Sequence, residues 1–104
     1  MAVKIPESGI QNSIIQYLRL HGHFVHRQNA GAFKNSIGGF YRMSMKGASD
    51  IVGVSKSGVA IAIEVKTAGG EPTNEQLDYL NEFSSRGGYG FIARSIDDVI
   101  ARGL

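Results

Sequence analysis

The chain has 104 residues, 42% hydrophobic and 19% charged, which suits a single globular domain over 1–104 and excludes the polar, highly charged composition of a disordered chain. It has no cysteine, so disulfide staples and thiolate zinc sites are excluded and any metal must be held by oxygen or imidazole. The net charge of +2 is unevenly spread: between Ser8 and Ser49 five basic residues (Arg19, Arg27, Lys34, Arg42, Lys46) meet no acid, whereas from Thr67 onward six acids face three arginines.

That asymmetry gives the first half a basic surface, as a polyanion-binding protein needs, although a merely solvated basic face reads the same way. The N-terminus lacks a charged segment followed by an apolar run, and no stretch reaches the roughly 18 apolar residues of a membrane span. The expectation is a cytoplasmic protein without membrane contact.

The first element, Pro6 to about His21, reads as a helix. Pro6 suits a first turn, Ser8 and Gln11 have capping-box spacing, Ile10, Ile14, Tyr17 and Leu18 form an apolar stripe, and Gly22 stops it. Glu7 projects near the middle of that stripe, so an acid points toward the protein body; its plainer role is a first-turn acid favoured by the helix dipole.

His23 to Asn29 reads as a strand, Ala30 to Gly39 as a loop, and Phe40 to Met45 as a short strand. The histidines His21, His23 and His26 lack the i, i+4 spacing of a helical zinc pair, and His23 and His26 are expected at the surface or facing nucleic acid. Gly38-Gly39 would let backbone amides approach a ligand, or serve simply as a turn.

Asp50 to Val54 and Val59 to Lys66 form an antiparallel hairpin around Lys56, Ser57 and Gly58. A three-residue loop with Gly58 in the left-handed conformation pairs Ser55 with Val59 and sets Asp50 opposite Glu64. A four-residue loop pairs Val54 with Val59 and sets Asp50 opposite Ile63, separating the two acids. In the second strand Val59, Ile61, Ile63 and Val65 take one face and Ala60, Ala62, Glu64 and Lys66 the other. The alanines leave room for close approach of an element such as the first helix.

Thr73 begins a second helix, with Gln76 at capping-box spacing and Tyr79, Leu80 and Phe83 as its buried stripe; Gly87 and Gly88 end it. Gln76 also falls within that stripe, so it either points toward the sheet or only closes the cap. Tyr89 to Ala93 is a strand, and Ser95 with Asp98 caps a last helix carrying Ile96, Val99 and Ile100. The crossover from Val59 to Ala93 makes the two strands parallel, with right-handed connection. The whole is an α/β domain with a mixed sheet.

Asp50 and Glu64 in the close register repel one another, and a divalent cation relieves this by taking hard oxygen ligands from both, with the Val65 carbonyl as a further oxygen. Lys66, on the same face as Glu64, can hold an attacking water and offset charge growing on a phosphate. A surface ion pair among Asp50, Glu64 and Lys66 is the structural alternative.

The run Gly47-Ala48-Ser49-Asp50-Ile51-Val52-Gly53-Val54, followed by Ile63-Glu64-Val65-Lys66-Thr67 and by Thr73-Asn74-Glu75-Gln76, resembles the VRR-NUC domain family of the PD-(D/E)xK nuclease superfamily. The resemblance runs from Glu7 through Gly87-Gly88 to Ser95 and Asp98. It implies a restriction-endonuclease-like core in the order α-β-β-β-α-β-α and a Mg²⁺- or Mn²⁺-dependent endonuclease acting on DNA. By the same likeness Asp50, Glu64 and the Val65 carbonyl bind the metal, Glu7 contacts its shell, Lys66 supports the nucleophilic water and Gln76 assists.

Ser49 departs from the family pattern, which usually has proline there. The family likeness further implies a structure-specific enzyme for branched or flap DNA or Holliday junctions, often a homodimer and often from bacteria or phages. Arg27, Asn29, Lys34, Arg42 and Lys46 are the candidate phosphate contacts. The alternatives are a non-catalytic DNA-binding module on the same fold and a restriction-type or junction-resolving nuclease of another branch.

Overall fold

The computed structural model of the chain describes residues 5–28, 32–34, 40–42 and 45–104, with side chains described outside 29–44. Helix α1 (Glu7–Leu20) leads to β1 (Phe24–Arg27), then to β2 (Ala32–Lys34) and β3 (Phe40–Arg42). There follow β4 (Ile51–Val54), β5 (Ala60–Val65), α2 (Asn74–Ser84), β6 (Tyr89–Ala93) and α3 (Ile96–Ala101). The main sheet has the order β1-β4-β5-β6, while β2 and β3 form a separate antiparallel ribbon. Within the main sheet β1, β4 and β5 are antiparallel neighbours and β6 runs parallel to β5, so the sheet is mixed, as the element order required.

The turn chemistry fixes the register on which the site depends. Gly58 has φ +89°, its N–H donates to the Ser55 carbonyl (2.8 Å), and the Ser55 N–H donates to the Val59 carbonyl (2.7 Å). Pairing continues with Val54 opposite Ala60 and Ile51 opposite Ile63, and one further step sets Asp50 beside Glu64. A residue with a Cβ resists that φ, so Gly58 selects the three-residue loop, and the loop selects which face each following side chain takes.

One face of the sheet carries the core. Ile14 and Leu18 of α1, Val25 of β1, Ile51 of β4, Ile61, Ile63 and Val65 of β5, and Val99 of α3 are all essentially inaccessible. Each such aliphatic side chain contributes about 1.5 to 3 kcal/mol by leaving water. Ile10, Tyr17, Tyr89 and Ile96 pack around them. The α1 stripe is therefore the expected one, although Ser8 makes no cap: the helix starts at Glu7 with Pro6 as N-cap and no side-chain cap bond.

The other face is covered by α2, not by α1, which corrects the expectation for the alanine face. Ala62 lies opposite Gly90 in the parallel pairing, and a Cβ at Gly90 would collide with the Leu80 carbonyl of α2. Small residues on two adjacent strands let the helix backbone approach the sheet directly. Two further expectations change. Residues 32–34, read as loop, form β2, paired with β3 through Ala32–Arg42, Phe33–Tyr41 and Lys34–Phe40. Ser95 is the N-cap of α3 but makes no side-chain cap bond; instead Asp98 Oδ2 accepts from the Arg94 N–H at 2.8 Å.

Candidate active site at the end of the hairpin

Asp50 precedes β4 and is held from several sides. Its Oδ2 accepts the Val65 N–H at 2.8 Å, and its backbone carbonyl accepts the Gln28 N–H at 2.7 Å. Residue Ser49, fully buried, donates its hydroxyl to the Ile51 carbonyl at 2.9 Å. That hydroxyl bond spans the residue that carries the carboxylate.

Glu64, on β5, is 3% exposed. Burial, the Asp50 carboxylate beside it and, more weakly, Glu7 push its acid up to about 9, with Lys66 acting in the opposite direction. Its Oε2 is buried without a hydrogen-bond partner. Buried carboxylate oxygens are nearly always paired, because the cost of desolvating one is several kcal/mol. An acid held between other acids, with an oxygen left open, is unfavourable in the protein alone and suited to a cation.

The residues present fit a hard divalent ion. The Val65 N–H points toward β4, where Asp50 receives it, and a residue in an extended strand sends its N–H and C=O to the same edge, so the Val65 carbonyl leaves the strand on the Asp50 side. Lys66, half-buried, continues the strand by donating its N–H to the Ala93 carbonyl at 3.1 Å. Glu7 is half-buried at the first residue of α1, and its charge reaches Glu64. Among the described residues no three histidine or acidic side chains cluster as a preformed metal cage. Two carboxylates, a carbonyl and water are the donor set that Mg²⁺ accepts, since it retains several waters and takes substrate phosphates as ligands.

Gln76 closes a complete capping box: its Oε1 accepts the Thr73 N–H at 2.9 Å and its own N–H donates to Thr73 Oγ1 at 3.1 Å. Of the candidate phosphate contacts, Arg27 donates to Asn12 Oδ1 of α1 at 2.5 Å, and Lys46 pairs with Glu75 of α2 at 3.2 Å. The backbone of Lys34 and Arg42 lies in the β2–β3 ribbon; Asn29 and the Gly38-Gly39 pair lie outside the described residues. His23 is buried, contrary to the surface position expected for it: its Nδ1 accepts the Lys56 N–H at 3.1 Å. Burial chiefly, with Lys56 and His21 nearby, holds its pKa down. His26 is exposed.

Sequence reasoning missed Gln28, whose side chain donates to the Ser49 carbonyl at 3.1 Å and to Tyr79 Oη of α2 at 3.4 Å. A lone glutamine at a strand end carries no pattern, so only the fold brings it beside Asp50.

Comparison with known proteins finds a structural likeness and no sequence match. A solved structure described as a VRR_NUC domain superposes with a TM-score of 0.65 over 91% of this chain and 90% of its own, at 22% sequence identity. At that identity the likeness establishes the fold, which is that of a VRR_NUC domain. No family model and no curated protein matches the chain.

Proposed function

We propose that this protein is a divalent-metal-dependent nuclease of the VRR-NUC type, hydrolysing phosphodiester bonds in DNA. The observation that carries the reading is the buried, unpartnered Oε2 of Glu64 beside Asp50 and Lys66, on a fold shared with a VRR_NUC domain. The proposed ligands of Mg²⁺ or Mn²⁺ are Asp50, Glu64 and the Val65 carbonyl, with Glu7 acting through water. When bound, the ion supplies Lewis acidity toward a phosphate oxygen and a more acidic water.

The protein's own part is to hold these groups before substrate arrives. Asp50 is oriented through the Val65 N–H, and Glu64 is kept from solvent by the strands around it. Lys66 supplies an ammonium at the carboxylate edge, where it positions the attacking water and offsets negative charge as the phosphate is attacked. A role for Gln76 requires its amide to leave the capping box. Lys34 and Arg42, on the β2–β3 ribbon, are the proposed phosphate contacts; Arg27 and Lys46 would have to exchange their present partners to join them.

Preference for branched or flap DNA, and a homodimer that presents two sites to two strands, belong to this reading as well. It is tested by incubating the protein with labelled linear duplex, single strand, flap and four-way junction in Mg²⁺, Mn²⁺ or chelator, beside Asp50→Ala. Metal-dependent cleavage by the wild type, lost in the variant, supports it. Binding without cleavage identifies a DNA-binding module instead, and cleavage unchanged in Asp50→Ala removes the site.

A further inference from the structure

Gln28 follows β1 and contacts the turn that carries Asp50 twice. Its backbone N–H donates to the Asp50 carbonyl at 2.7 Å, and its side-chain Nε2 donates to the Ser49 carbonyl at 3.1 Å. These two carbonyls belong to the two peptide groups on either side of the Asp50 Cα. The orientations of those two planes are what φ and ψ of Asp50 describe, so one residue pins both and with them the direction of the Asp50 side chain. The same Nε2 reaches Tyr79 Oη at 3.4 Å, which ties the arrangement to α2. The other end of Asp50 is fixed independently by the Val65 N–H.

We infer that Gln28 is a positioning residue for Asp50, aiming its carboxylate at the space shared with Glu64. This rests on the reading of Asp50 as a metal ligand. The backbone bond persists whatever side chain stands at 28; the side-chain bond does not. Removing Nε2 therefore frees the peptide plane before Asp50 while leaving the β1–β4 pairing in place. Groups that orient a ligand in this way typically change metal affinity or activity about 10- to 100-fold.

The test is calorimetric titration with Mn²⁺ alone, on wild type, Gln28→Met and Tyr79→Phe, with the thermal midpoint of each measured in chelator. Gln28→Met keeps the length of the side chain and removes its donor; the expected result is Mn²⁺ affinity weakened about 10- to 100-fold. Tyr79→Phe leaves both bonds to the Asp50 turn, so its affinity is expected to match wild type. If the Met variant does not fold, Gln28→Asn, which keeps a donor but shortens its reach, reports the same quantity. A lower thermal midpoint with unchanged Mn²⁺ affinity makes Gln28 a purely structural residue and overturns the inference. Wild type that takes up no Mn²⁺ brings down the ligand assignment of Asp50 first, and the inference with it.

Discussion

The two ends of the β4–β5 hairpin bury polar side chains to almost the same degree and treat them in opposite ways. At the turn, Ser55 is 5% exposed, yet its hydroxyl meets Ser57 Oγ at 3.0 Å and accepts the Val59 N–H at 3.0 Å. At the open end Glu64 is 3% exposed and one of its oxygens has no partner. The same two strands and the same register produce a satisfied serine and an unsatisfied acid. The fold that buries Ser55 also pairs it, whereas the fold that buries Glu64 leaves one of its oxygens open, and on the proposed reading that oxygen is the one a cation takes.

Several substitutions would break or sharpen that contrast. The largest effect is expected on catalysis: Lys66→Ala should lower the DNA cleavage rate by about 10²- to 10³-fold, and Asp50→Ala at least as far, with circular dichroism spectra preserved. Rates within a few-fold of wild type in either would place the chemistry elsewhere.

Next comes Ser55→Ala, which leaves the Val59 N–H without its side-chain acceptor and should destabilise the protein by about 1 to 3 kcal/mol. The loss should be independent of pH and of metal, as read from denaturant unfolding in chelator and in Mn²⁺. A metal-dependent loss would mean that the two ends of the hairpin are not separate in function.

Glu64→Gln should do the reverse at the other end. The folded-state acid lies near 9 against an ordinary 4.5, so between those values the unfolded chain gives up a proton that the folded chain keeps. Stability in chelator therefore falls as pH rises through that window and levels off above it. The wild-type thermal midpoint should drop by about 5 °C or more between pH 5 and pH 8.5. Glu64→Gln should flatten that drop and stand above wild type at the higher pH. An equal slope in both proteins would assign the pH dependence to other groups. The smallest effect is expected at Lys46→Ala, whose exposed pair with Glu75 should scarcely move the midpoint while weakening DNA binding only if the lysine exchanges that partner for phosphate.

Much of the hairpin was legible because its cause is local. Gly58 dictates the loop, the loop dictates the register, and the period-two alternation then assigns Glu64 and Lys66 to one face. The capping box of Thr73 and Gln76 was legible for the same reason. What the alanines could not reveal was which helix used the space they left. The glycine at 90 was the available signal, since a glycine inside a strand marks close approach of another backbone. Capping spacing at Ser8 misled because Pro6 already sets the helix entry. The Lys46–Glu75 pair and the bonds of Gln28 depend on residues distant along the chain, and pairings of that kind leave no periodic trace.

The central claim is that Asp50 and Glu64 together form a cation site, and uptake of Mn²⁺ by wild type against Glu64→Gln near pH 7.5 tests it most directly. Because burial and the neighbouring Asp50 carboxylate hold the Glu64 acid up to about 9, capture of a cation by that carboxylate should release a proton, and the measured heat should change with the ionisation enthalpy of the buffer. Saturable, buffer-dependent uptake by wild type, lost in Glu64→Gln, is the predicted result. No uptake by wild type, or the same uptake in both proteins, would contradict it.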